Sequence, residues 1–474
     1  MDYIPIGFDE GTSAEKKWPG DLCDCAKRAD EILAFARVQT RPLTVALDGR
    51  WGSGKSFFVR GFAKHAEESA KDRKPGLCVL LNAWESDALE NPLLYLYYGV
   101  TKAVERMPQY DVPDPKSVEV LKANFAAIGK ELLNTTTVGM FGRLADAFKK
   151  NCSEHPVDQY DAAVDLQRRF KEYLAGIAKL VQTHSGCPLI ICVDELDRCK
   201  PTYAIEMLEC IKHFFSVPHT LFLLSVDLPE LRAVIQASYG CLNPREYLRR
   251  FVQYVFPLPE LPAYVYVRSV WKDLGLDALV SAQIVNPFPA RKFTSEDVLK
   301  YFELVLSTKG YTPRQVESLL RMYAVGMSAR VYQYIDCILL AILCIAYLDD
   351  PKSFDGIVSG FVDVKDLSKK LVVQKESELP LIAAVRAMSQ FVIAAGWAVD
   401  SSMIGQIYSE FRKWGESTTS CPGELRPLAE KILANLSIGV NGWHRTFSAA
   451  RVIELSSRFN FMASSNTDWA DGAD

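Results

Sequence analysis

The residues best placed to do chemistry form the run Gly49-Arg50-Trp51-Gly52-Ser53-Gly54-Lys55-Ser56. Gly49 and Gly54 let the backbone wrap an anion closely, because positive φ costs glycine little. Backbone N–H groups in such a loop point inward, and the helix that follows adds its partial positive charge. Lys55 then bridges the β- and γ-phosphates of a nucleoside triphosphate, and the Ser56 hydroxyl ligates Mg²⁺. Gly52, Ser53 and Phe57 complete the expected cradle. A plain glycine-rich turn would have to match every fixed position by coincidence. Trp51 lies inside the loop and either packs beneath it or faces a partner.

A second cluster is Asp194-Glu195-Leu196-Asp197-Arg198. It follows an apolar run, so its carboxylates emerge where ligands bind in open α/β sheets. Asp194 suits the holding of Mg²⁺. Glu195 is placed to polarise an attacking water as general base. A phosphotransferase has no need of the adjacent glutamate, whereas a hydrolase uses it. The bland alternative is a solvated acidic cap after a strand. Asp197 and Arg198 either sense the nucleotide state or form a surface ion pair.

Further candidates lie outside these runs. Asn82 orients a water or senses phosphate, or else it is a turn residue beside a core Trp84. Ser225 and Asp227 end another apolar run; a polar residue there reads the γ-phosphate, or Asp227 merely caps a helix. Arg249 and Arg250 either stabilise transition-state charge as an arginine finger or face solvent. Arg314 begins a helix and either touches the nucleotide or does not.

These residues need elements to position them. Leu43 to Leu47 reads as a buried strand, followed by the glycine loop and a helix to about Ala70. Leu77–Leu81, Pro188–Val193 and Thr220–Val226 read as further buried strands. Helical spacing occupies Asp21–Phe35, Asn91–Arg106, Asp161–Gln182, Tyr203–Phe215 and Glu230–Ala237. Strand and helix in alternation predict an α/β fold, a parallel sheet covered on both faces. After Pro257-Leu258-Pro259 the pattern is helical only. The expected domains are a P-loop core in two parts, 1–106 and 161–262, a helical insertion at 107–160, an α-helical C-terminal domain at 263–464, and a disordered tail at 465–474.

Composition bounds the partners. The chain has 474 residues, is 49% hydrophobic and carries a net charge of −4. No global basic field draws it to nucleic acid or to an anionic membrane. Ile335 to Leu348 is the most apolar stretch and is too short for a span of about 20 residues. Thr135 to Phe148 is less apolar still. The start of the chain lacks the pattern of a signal peptide. The twelve cysteines show no disulfide framework, which suits reduced thiols in a cytoplasmic protein. Cys23-x-Cys25 has no second ligand pair at zinc spacing. A lone His444 is read as structural.

With these segments assembled, the chain resembles the KAP family of P-loop NTPases. The resemblance rests on Ala46 to Ser56, Leu81 to Glu85, Val193 to Pro201, Leu224 to Asp227, Glu246 to Gln253 and Thr312 to Arg314, in family order. It implies a P-loop core of the additional-strand, catalytic-glutamate type, with ATP as the nucleotide. Family members often carry membrane spans between the two phosphate-site motifs; the insertion here is not apolar enough. Arg250 stands where the family usually has lysine. Bacterial members include proteins linked to phage exclusion. The expectation is an Mg²⁺-dependent ATPase acting as a conformational switch, working as a homo-oligomer or with a partner encoded nearby. The alternatives are a nucleotide-stabilised scaffold with little turnover, or a phosphotransferase.

Overall fold

The computed structural model describes Trp18 and residues 22–68, 76–106, 123, 127, 156–240, 243–283, 294–328 and 337–349. The chain divides into two units, Met1–Glu260 and Leu261–Asp474.

The first unit is built on five parallel strands: β1 (Leu43–Asp48), β2 (Cys78–Asn82), β3 (Leu189–Asp194), β4 (Thr220–Val226) and β5 (Tyr254–Pro257). Their order across the sheet is β2-β3-β4-β1-β5. All four pairings are parallel. β4 therefore stands between the glycine-loop strand and the acidic strand, which is the additional-strand arrangement. β1, β3 and β4 are continuous apolar runs because both faces are covered. Side chains alternate across the sheet, and the core splits accordingly. Val45, Leu47, Ile190, Cys192, Leu221 and Leu223 pack on one face with α1 (Cys25–Arg37) and α2 (Lys55–Glu68). Ala46, Val79, Leu81, Ile191, Val193, Phe222 and Leu224 pack on the other. That face carries α4 (Pro92–Arg106), α5 (Pro156–Ser185), α6 (Pro201–His213) and α7 (Leu228–Tyr239), while α3 (Ala83–Asp87) follows directly on β2.

β5 was not expected from the sequence. It is four residues long, follows the short α8 (Pro244–Leu248) and lies on the sheet edge with Tyr254 and Val255 exposed. Gln253 anchors its start: the Thr44 N–H donates to Gln253 Oε1 at 2.7 Å, and the Gln253 N–H donates to the Thr44 carbonyl at 3.0 Å.

α2 is held against Trp18. The indole Nε1 donates to His65 Nδ1 at 3.3 Å, and His65 Nε2 meets Asp30 Oδ1 of α1 at 2.7 Å. A Cβ added at Gly61 would collide with the Trp18 ring. Gly-to-Ala inside a helix usually stabilises by about 1 kcal/mol. Here the expected result is reversed: Gly61→Ala costs about 1–3 kcal/mol through overpacking, read as a lowered Tm.

The second unit is helical in its described part: α9 (Ala263–Asp273), α10 (Leu276–Gln283), α11 (Ser295–Lys309), α12 (Pro313–Ser328) and α13 (Cys337–Asp349). Trp271, Phe302 and Tyr323 form its buried aromatic centre. α13 is the expected apolar helix of the Ile335–Leu348 stretch. No helix among the described residues is long and apolar enough to cross a membrane. Most of the expected insertion, the Thr135–Phe148 segment, His444 and the tail lie outside the described residues.

Candidate functional site

Parallel strands bring their carboxyl ends to one edge, and register lines up what they carry. Asn82 pairs with Asp194, Asp194 with Ser225, and Asp48 with Val226. The glycine loop, the acidic run and the polar end of β4 therefore meet at one edge of the sheet.

The loop closes on itself. The Ser53 N–H donates to the Arg50 carbonyl at 3.1 Å, and the Phe58 N–H donates to the Gly54 carbonyl at 3.0 Å as α2 begins. Gly52 and Gly54 have φ of 78° and 101°, a region that side chains rarely adopt. A Cβ at Gly54 would meet nothing within 4 Å, whereas one at Gly49 would press on Ser53 Oγ and Leu258. Gly49 thus serves close packing and Gly54 leaves an open cradle. Ser56 and Phe57 lie in the first turn of α2, where amide groups have no partner within the helix. Phe57 turns its ring toward Trp18, 6.2 Å between centroids.

Lys55 is buried, and its Nζ donates to the Gly49 carbonyl at 2.7 Å. Asp197 Oδ2 lies 3.6 Å from the same nitrogen, with both side chains under one-tenth exposed. Asp197 Oδ2 also accepts the Asp227 N–H at 2.9 Å. Asp227 Oδ2 in turn accepts the Trp51 N–H at 3.0 Å. A polar chain therefore ties the acidic run through β4 to the loop. Asp197 forms no surface ion pair: its side chain is 4% exposed and pairs with Lys55. Asp227 occupies the N-cap position of α7 but makes no side-chain cap. That bond comes from Asp48, whose Oδ1 accepts the Leu228 N–H at 3.0 Å. Asp48 was not among the residues singled out in the sequence.

Glu195 has φ 61°, left-handed for a residue with a side chain. Such a conformation costs on the order of 1–3 kcal/mol and gathers at functional sites. Its Oε1 pairs with Arg198 Nη1 at 2.8 Å. The Arg198 guanidinium stacks 5.0 Å from the Trp51 ring, a cation–π contact. Trp51 itself is 59% exposed, so it does not pack beneath the loop. Cys199 next door has its thiol pushed up to about 12, first by burial and then by the charges of Asp87, Asp197 and Glu195.

Other expected residues fall out differently. Asn82 caps α3, accepting the Trp84 N–H at 3.1 Å and donating to Glu85 Oε1 at 3.0 Å. Trp84 is 54% exposed and no core residue. Arg249 is exposed at the end of α8. Arg250 stacks on Tyr247 at 5.8 Å and lines a cleft with Pro42, Thr44 and Thr220, at the amino edge of the sheet. At about 3.3 Å per residue, the six residues of β1 put it about 20 Å from Lys55 of its own chain. Arg314 lies in the first turn of α12, in the second unit.

The residues fit a triphosphate. Ser53 Oγ, Asp197 Oδ1 and Ser225 Oγ are buried without a hydrogen-bond partner, beside an open cradle and a buried ammonium. Buried polar groups are normally satisfied, so these atoms await a ligand or its water. Among the described residues no group of three or more His, Cys, Asp or Glu could hold a metal alone. A cation would share Asp194 and Ser56 with the phosphates, as Mg²⁺ at such loops does. Ser225→Ala removes one orphaned hydroxyl. Fold stability is expected to hold or rise by up to about 1 kcal/mol, while phosphate release falls; thermal denaturation and a phosphate assay read the two.

The family model described as KAP family P-loop domain matches residues 26–266. That span is about half the chain and includes all five strands. No curated protein matches. Among solved structures, the chain is similar to the Aeropyrum pernix ORC2 protein in its ADPNP-ADP complexes, at 12% identity and TM-score 0.34, covering 90% of this chain and 88% of that one. A DNA replication initiation factor aligns at 9% identity and TM-score 0.29, over 90% and 93% of the two chains.

Proposed function

The chain belongs to the KAP family of P-loop NTPases, and from that membership we propose that it binds ATP with Mg²⁺ and hydrolyses it as a conformational switch. The observation that carries this reading is the placement of Glu195, in a left-handed backbone at the sheet edge that also holds Lys55 and Asp194.

In this reading, the amides of Gly52 and of Gly54 to Phe57 hold the phosphates and Lys55 leaves the Gly49 carbonyl to neutralise them. Asp194 and Ser56 hold Mg²⁺, which supplies charge neutralisation across the phosphate oxygens. Glu195 takes the proton of the attacking water. It can do so only once Arg198 releases its carboxylate. The Ser225 hydroxyl donates to the γ-phosphate. Asp197 and Asp227 position Lys55 and the loop without touching the reacting atoms. The phosphate state is then read at two places that move, Lys55 and Arg198. Arg249 or Arg250 acts only from a second copy of the chain.

The switch is tested by the hydrodynamic radius and protease sensitivity of the full chain without nucleotide, with ADP, and with ATP on a hydrolysis-blocked Glu195→Gln variant. A distinct ATP state is expected. Identical behaviour in all three would remove the switch. As the biological output we propose defence against phage, a reading supported by family likeness alone. Phage plating efficiency on cells expressing wild type or Lys55→Ala tests it; equal plating on both sinks that output.

A further inference from the structure

Among the described residues, two pairs of cysteines bring their sulfurs close. Cys23 Sγ and Cys25 Sγ are 3.1 Å apart at the start of α1. Cys78 Sγ and Cys192 Sγ are 3.7 Å apart between β2 and β3. The pairs differ in access. Cys78 and Cys192 are both buried, and the Cys192 thiol is pushed well up by its bond to Cys78 and by burial. Cys25 is buried in the cluster that holds Phe58 and Phe62 of α2, but Cys23 is half-buried. Among the described cysteines, Cys23 alone is not buried.

The backbone prepares the first pair. Asp24, between the two cysteines, has φ 55° and ψ 36°. This left-handed turn gathers both sulfurs on one side of the chain. A disulfide needs the sulfurs about 2.05 Å apart, so thiol rotation and a shift of about 1 Å would close the bond. A structural zinc needs about four ligands. No third acidic, histidine or cysteine ligand joins this pair among the described residues.

We infer that Cys23 and Cys25 form an oxidisable dithiol, Cys23 capturing and Cys25 resolving, with a low-molecular-weight disulfide of the glutathione class as oxidant. The Cys23 thiolate attacks one sulfur of the glutathione disulfide, whose S–S bond breaks and releases a first glutathione thiol. The Cys25 thiolate then attacks Cys23 Sγ in the mixed disulfide and releases a second. The protein loses two electrons and two protons, and the oxidant gains both. The bond so formed would fix the first turn of α1, the helix that shares a core cluster with the phosphate-loop helix α2.

The test uses the full-length protein, equilibrated in glutathione buffers from reducing to oxidising, then acid-quenched, alkylated and mapped by mass. The expected result is a loss of about 2 Da on the peptide holding Cys23 and Cys25, following a two-electron titration. Cys78 and Cys192 serve as the internal control and should remain thiols. Cys25→Ser should leave a glutathione adduct on Cys23. The inference fails if both cysteines alkylate as thiols at the oxidising end, or if Cys23 pairs with any other cysteine. It also fails if Cys25→Ser acquires no adduct.

Discussion

Lys55→Ala should weaken ATP binding by on the order of 30- to several thousand-fold. Removing one partner of a buried, hydrogen-bonded charge pair costs about 2–5 kcal/mol, and each 1.4 kcal/mol is about a factor of ten. Lys55 qualifies because it is buried and its Nζ is held by the Gly49 carbonyl and by Asp197. Its loss also leaves Asp197 without its cation, so some fold stability should go with it. Calorimetric titration reads the affinity and thermal denaturation the stability. Wild-type affinity in the folded variant would show that Lys55 does not meet the phosphates.

Glu195→Gln should separate binding from turnover. Loss of a positioned general base lowers the rate by about 10²–10⁴. The side chain keeps its size, and its partner Arg198 is partly exposed. The pair is half-buried, but the amide oxygen of Gln can still accept from Arg198 and no charge is left buried alone, so the fold should tolerate the change. ATP affinity should stay within about threefold, less than one factor-of-ten step. Arg198→Ala complements it: freed of its partner, Glu195 is available as base, but the stack on Trp51 is lost.

The phosphate loop and the acidic run were legible because they are short, local patterns. The glycine loop specifies its own backbone, and Asp194-Glu195 needs only a strand ahead of it. β1, β3 and β4 announced themselves as apolar runs. What stayed hidden depends on chain segments far apart. The sequence left Asp197 between sensing the nucleotide and a surface ion pair, because its partner Asp227 N–H lies thirty positions later. β5 escaped because its apolar run is only Tyr254 to Phe256, cut off by Pro257 and largely exposed along an edge. That miss had a consequence for Arg250. Once β5 is known to run parallel to β1, a residue just ahead of it must lie at the amino edge, away from the phosphate loop. Of the two readings left open at Asn82, the core Trp84 falls away because the five-residue α3, capped by Asn82, turns it outward.

Steady-state phosphate release by the full-length wild-type protein, with ATP in the presence of Mg²⁺ or of excess EDTA, tests the central claim most directly. Many turnovers per chain with Mg²⁺, abolished by EDTA and by Glu195→Gln, are predicted. ATP bound but released unchanged, or equal rates for wild type and Glu195→Gln, would contradict it.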